Sequence, residues 1–367
     1  MELADRRLPC GFSEFSGREL DRGVTVGAVD IVGLTRSLVD IDSTTGREGE
    51  CGRWLADYLR GRGWSVEEQR VDDTRFNVIA MPSDLAPRTP HPAPSVVFST
   101  HFDCVPSFFP SRVEGDRIFG RGSCDAKGIL AAQVSAAEGL RRDGESRIGL
   151  VFVVGEERGS DGARAANRAG RGDGARFLIN GEPTDNRLGL ATRGILRLKL
   201  RATGRAAHSS FPELGESAID KLIDALVELR GIALPSDPVL GQTHYTVGLI
   251  SGGVAPNVVP AAAEAEVMFR TTSDAAEIRK AVTPLERRVT IEHVLEVPPV
   301  RLKTVPGFDA AVFPYTTDIP FLEAWGEPLL FGPGSIHLAH TADEWVSIAE
   351  LKAAAAHYVT LAKALLA

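Results

Sequence analysis

The sequence predicts an α/β protein built on a mostly parallel sheet, interrupted by an inserted ferredoxin-like α+β unit. Three observations carry this reading. SVVFSTHFD, IGLVFVVGEE and RFLINGE are short apolar runs that alternate with helical stretches, as strands covered on both faces do. Near Thr192 the pattern changes: ILRLKLRATG alternates apolar and basic residues, as a strand with one wet face does. At 367 residues the chain is also too long for one comfortable core.

Taken in order, residues 1–25 are polar and without clear period, an arm with no assigned role. VDIVGLTRSLVDI and ECGRWLADYLRGRG have helical spacing, the second with Gly63 as its stop. SVEEQRVDD and FNVIAMP read as strands, and the Pro-rich segment at 82–94 as a surface loop. SVVFSTHFD follows as a buried strand, then a helix over 128–141, the IGLVFVV strand, a further helical stretch and RFLIN. From 193 to 300 come the ILRLKLRATG strand, a helix over 216–230, the hairpin HYTVGLISGG/AEAEVMFRTT, a helix over 274–288 and the strand VTIEHVLE. That β-α-β-β-α-β order is the split βαβ unit, inserted whole. The main domain, 26–192, resumes at 301–367 and closes with an Ala-rich helix from Ile348.

The formal net charge of −8 argues against broad attraction to nucleic acid or anionic membrane, which needs a basic face. Cys10, Cys51, Cys104 and Cys124 form no C-x-x-C pair, so reduced thiols in a cytoplasmic protein are expected. No apolar leader and no membrane-length apolar run is present, which adds the expectation of a soluble chain.

The residues with chemistry stand beside these strands. His101 and Asp103 lie two apart at a strand end, where Asp103 can hold the second ring nitrogen of an imidazole ligand. Asp125 lies in GRGSCDAKG, just before a helix. Glu156 and Glu157 follow IGLVFVV, Glu182 follows RFLIN, and His340 follows a later apolar strand. Each position alone also fits an ordinary structural role: a strand-end His, a helix-capping Asp, a solvated acidic turn. Together they would converge on one sheet edge, where open α/β folds bind ligands. Two His and several carboxylates, with no Cys required, suit Zn, Co or Mn.

STHFDCVP, GRGSCDAKG, GEERG, NGEPT, GRAAHSS, GGVAPNVVP and GPGSIHLAHTADE, in this order from about residue 28 onward, resemble the M20 family of di-metal amidohydrolases and peptidases. GEPT and GPGSIHLAHTADE look closest to its acetylornithine deacetylase and succinyl-diaminopimelate desuccinylase branch. The resemblance implies two divalent ions, zinc before cobalt or manganese. Asp125 would bridge them, His101 and Glu182 would complete one, and Glu157 and His340 the other. Glu156 would be the general base and Asp103 the partner of His101. His208, Asn257 and Arg270 would grip the substrate carboxylate or polarise its carbonyl, with His208 acting across a homodimer formed by the inserted lid.

The implied reaction is hydrolysis of an N-acyl amino acid, with dipeptidase, carboxypeptidase or desuccinylase action as alternatives and a non-catalytic binding protein as the remote one. The extra His337 departs from the family pattern.

Overall fold

The structure, a computed structural model, describes residues 27–82 and 94–367. The expected arm at 1–25 and the interior of the Pro-rich loop lie outside the described residues. Six strands form the central sheet, in the order Trp64–Arg70, Phe76–Pro82, Ile148–Val153, Val96–His101, Phe177–Asn180, Glu327–Leu330. Phe76–Pro82 runs antiparallel to both neighbours, and every other pairing is parallel.

Every residue of Val96–His101 and Ile148–Val153 is buried, because helices cover both faces. On one face Phe98, Leu150 and Ile179 pack with Leu38, Leu55, Val134, Leu351 and Tyr358 from four helices: Ile31–Val39, Gly49–Gly61, Lys127–Arg142 and Ile348–Leu366. On the other, Val97, Val151 and Leu178 pack with Ala163, Ala166 and Trp325. Helix starts are set by side chains: the Ser217, Asp274 and Ser347 oxygens accept N–H bonds from Asp220, Ala276 and Glu350. Each such cap is worth about 1 kcal/mol.

The inserted sheet, residues 194–297, has the order His244–Gly252, Ala262–Thr271, Gly194–Thr203, Thr290–Val297, antiparallel throughout. With strands taken first to fourth along the chain this is 2-3-1-4, the ferredoxin-like arrangement. Leu196, Leu198, Leu200, Val267 and Phe269 face the helices Ala218–Arg230 and Ala275–Val282. The intervening Arg197, Lys199 and Arg201 face outward and pair with Glu264, Glu266 and Glu292. This is the wet face the alternation foretold.

Two details differ from the sequence reading. The helix expected over 274–288 ends at Val282, and a 3-10 turn, Thr283–Arg287, replaces its last part where Pro284 cannot donate to an α-helical ladder. Small sheets also went unforeseen. Arg112–Glu114, Arg117–Phe119 and Trp345–Ser347 form one, and Leu188–Thr192, Val300–Arg301 and Ala310–Phe313 another. Strands of two to five residues carry too little period to read, yet these tie the returning C-terminal segment to the first half of the chain.

Candidate metal centre

His101 is the last residue of its strand, Glu156 and Glu157 follow Ile148–Val153, Glu182 follows Phe177–Asn180, and His340 lies beyond Glu327–Leu330. These strands are parallel, so their ends meet at one edge of the sheet. Asp125 arrives differently. As GRGSCDAKG suggests, it sits in a tight turn just before a helix, between the three-residue strand Arg117–Phe119, which is outside the central sheet, and the helix Lys127–Arg142. Gly122 in that turn has φ +87°, and a Cβ there would lie 2.5 Å from Cys104 Sγ, so only glycine fits.

The turn is shaped by Glu344, which is fully buried. Its carboxylate accepts N–H bonds from Gly122 (3.0 Å), Cys124 (3.0 Å) and Asp125 itself (3.1 Å), and one from Arg121 Nη1 (2.7 Å).

Two groups of ligand atoms result, each drawn together within 4.8 Å: His101, Asp125 and Glu182 in one, Asp125, Glu157 and His340 in the other. Asp125 belongs to both. His101 Nε2 is 3.0 Å from Asp125 Oδ1, and His340 Nε2 is 3.0 Å from Glu157 Oε1 and 3.4 Å from Asp125 Oδ2. Asp103 lies beneath them. Its carbonyl is 3.0 Å from His101 Nδ1 and its carboxylate 3.4 Å, so both face the ring nitrogen. The same carboxylate accepts N–H bonds from Glu156 (3.1 Å) and Glu157 (3.3 Å), and an O–H bond from Thr45 (2.9 Å). One side chain therefore touches the imidazole and orients both glutamates.

The electrostatics are those of acids crowded together. Burial, with Asp318, Glu157 and Asp125 near, pushes the Glu156 carboxyl well above the ordinary range against the pull of His101. Burial and the charges of Glu156 and Asp125 do the same to Glu182. Burial opposes ionisation of Asp125 as well, but hydrogen bonds from both imidazoles overturn it and hold that group far below the carboxylate range. The Asp125 and Glu157 carboxylates hold His340 up to about 10.

The residues fit a pair of divalent cations. Glu182 Oε1 is buried without a hydrogen-bond partner among the described residues, and no Lys or Arg there pairs with Asp125, Glu156, Glu157 or Glu182. Converging buried carboxylates need a counter-charge. Two sets of one imidazole, one carboxylate and a shared carboxylate supply nitrogen and oxygen donors in the proportion borderline metals take.

Beside the groups opens a cavity of about 330 Å³ lined by Asp125, Glu156, Glu157, Glu182 and His340 from the first unit and by Ile195, Arg270, Leu295 and Val297 from the inserted one. Arg270 thus reaches the site. Its guanidinium is partly desolvated and lies near Arg193, both of which lower its proton affinity. His208 and Asn257 do not line this cavity. Both are exposed on the inserted unit, where the Ser209 N–H, next to His208, donates to the Asn257 carbonyl (3.0 Å). His337 belongs to neither ligand group.

A family model, Peptidase family M20/M25/M40, matches residues 97–364. The chain belongs to this family. A relative from Aspergillus terreus named "Probable carboxypeptidase" is 39% identical, over 90% of this chain and 85% of its own length. The aminopeptidase PepT of Bacillus cereus shares the fold with a TM-score of 0.74 at 20% identity, covering 92% of this chain and 98% of that one. A Bacillus subtilis protein described as a dinuclear metal binding peptidase of the M20 family gives 0.67 at 15%, covering 92% and 97%. This M20 chain is a metal-dependent hydrolase of amide bonds. The expected acetylornithine deacetylase branch is a finer assignment that neither the family model nor these relatives carry.

Three contributors escaped sequence reasoning. Glu344 stood inside GPGSIHLAHTADE, but nothing local marks it as the anchor of a turn 219 residues away. Asp318 is buried beside Ser160, and burial pushes it up to about 7 against that side chain's hydrogen bond. Tyr315 lines the cavity and donates its hydroxyl hydrogen to the Pro183 carbonyl (2.8 Å), bracing the loop that carries Glu182.

Proposed function

We propose that this protein is an M20 carboxypeptidase or dipeptidase that releases the C-terminal residue of a short peptide, rather than an acetylornithine deacetylase. The observation that points to a substrate with a free carboxylate is Arg270, a guanidinium without a carboxylate partner among the described residues, in the cavity that holds the two ligand groups. Such a fork is made for a free substrate carboxylate. N-acetyl-ornithine carries a free carboxylate too, and the observation that carries the peptidase over the deacetylase is the 39% identity to a protein named as a carboxypeptidase.

In this reading His101, Asp125 and Glu182 hold one divalent ion and Asp125, Glu157 and His340 the other, zinc first among the candidates. When bound, the ions acidify water and polarise the scissile carbonyl. Glu156 takes the proton from the attacking water and delivers it to the leaving amine, which its raised proton affinity suits. Asp103 keeps His101 in the tautomer that presents Nε2 and fixes the backbone of Glu156. Arg270 anchors the carboxylate so that the amide lies over the ligand groups.

The inserted unit would form a homodimer, through which His208 and Asn257 reach the partner's site. Support comes from their absence from their own chain's cavity and from the edge strand His244–Gly252, which exposes Val247, Leu249 and Ile250.

The deciding assay compares an N-acetyl dipeptide, its C-terminal amide, the free dipeptide, N-acetyl-ornithine and N-succinyl-diaminopimelate on zinc-loaded protein. Cleavage of the acids with none of the amide is expected. Turnover of N-acetyl-ornithine or N-succinyl-diaminopimelate far above both peptides would return the reading to deacylation.

A further inference from the structure

We propose that the cavity selects a substrate with two anionic groups, the second held by Arg158 and Arg164. This rests on reading the cavity as a peptide site and names the substrate class it takes.

Three arginines line the cavity: Arg158 and Arg164 from the first unit, Arg270 from the inserted one. None forms an ion pair among the described residues, in a chain with 49 acidic against 41 basic side chains. Several arginines elsewhere do answer acids: Arg75 pairs with Glu48, Asp72 and Asp161, Arg121 with Glu344, Arg201 with Glu264 and Glu292. What sets these three apart is that all face one concavity, the one that holds the ligand groups.

Arg164 is also held in place. Its guanidinium lies over the Phe321 ring, 3.7 Å from the centroid, and its Nε donates to the Gly159 carbonyl at 3.4 Å. That stacking leaves the terminal nitrogens free in a fixed plane, the arrangement that grips a carboxylate with two parallel N–H bonds. Arg158 follows Glu157 directly, so the turn that delivers two acids to the site also delivers a cation to its wall.

The cavity acids do not cancel these cations. Asp125, Glu157 and Glu182 belong to the ligand groups, and two divalent ions there would offset them together with Glu156, four charges against four, which leaves the three arginines unanswered. The loaded cavity then carries a positive field, and a substrate with one carboxylate satisfies Arg270 alone. The matching class is a peptide or N-acyl amino acid with an acidic group beside the scissile amide, on either the released residue or the acyl side.

The test uses two matched pairs on zinc-loaded protein: N-acetyl-Ala-Glu against N-acetyl-Ala-Gln, and N-acetyl-Glu-Ala against N-acetyl-Gln-Ala. The acidic member of at least one pair should have a kcat/KM about tenfold higher, the effect of one charge-assisted hydrogen-bonded pair. The favoured pair tells which side of the amide carries the acid. In the double variant R158Q/R164Q that ratio should fall to about one, mainly through KM, and R164K should retain part of it. A wild-type ratio near one in both pairs, or a ratio the double variant keeps, overturns the proposal.

If no peptide is cleaved, the peptidase reading fails and binding decides the inference separately. Calorimetric titration with glutarate and with its monoamide should give about tenfold tighter glutarate binding in the wild type and no difference in the double variant. Equal wild-type affinities overturn it.

Discussion

Replacing Glu344 should cost the protein both stability and metal. Its carboxylate lies fully buried, accepting three backbone N–H bonds from the Asp125 turn and one from the Arg121 guanidinium, which is itself 5% exposed. Glu344→Ala leaves that cation without a carboxylate partner, and breaking a buried pair from one side costs about 3–5 kcal/mol. Against a total stability of about 5–15 kcal/mol this is severe, so the informative variant is the isosteric Glu344→Gln. Gln retains one acceptor but turns an amide group toward Arg121 or a backbone N–H, so the turn must shift. Because Asp125 belongs to both ligand groups, a shift weakens both, and metal affinity should fall about 10- to 100-fold, as when outer partners of ligands are lost. Equilibrium dialysis with zinc, beside a thermal melt, measures this. Glu138→Gln is the control: that carboxylate is also buried, pairing with Arg62 and Arg141 and accepting from Trp64 Nε1, but it is no member of either ligand group. It should lower the melting temperature and leave zinc affinity alone. Two zinc ions bound at wild-type affinity in Glu344→Gln would refute the reasoning, and equal zinc loss in both variants would reduce it to general destabilisation.

Glu156→Gln should keep its zinc and lose about 10²–10⁴-fold in kcat, the usual contribution of a general base. His208→Ala should stay folded and lose about 10²–10³-fold; mixing the two variants should restore activity in hybrid dimers, and no recovery would remove the cross-subunit role. Stabilisation by zinc should grow with pH. His340 is raised from 6.5 to about 10, so its contribution to the metal-free fold is full below 6.5 and is lost as pH rises towards 10, while a metal needs the deprotonated imidazole. The rise in melting temperature on adding zinc should therefore increase across that window, and a flat or falling difference would show that His340 is not a ligand.

What could be read from the sequence was whatever depends on neighbours along the chain. Val96–His101 and Ile148–Val153 were legible because strands buried on both faces are apolar at nearly every residue, and His101, Glu157 and Glu182 because they stand at the ends of such strands. Asp125 was found in its turn before a helix, but what holds the turn was not. It does not ride on a strand of the central sheet; a carboxylate from the far end of the chain holds its turn, and no local pattern encodes that partnership. Arg158 and Arg164 were invisible for a related reason: beside Glu157 and in an alanine-rich helix they look solvated, and only the cavity shows that no acid answers them. The chemistry of the reaction sits in donor atoms at strand ends, whose types are restricted by what a metal or a proton demands. Substrate choice sits in the space between two units whose approach the sequence does not state, and the charge left unanswered in that space is what a substrate has to supply.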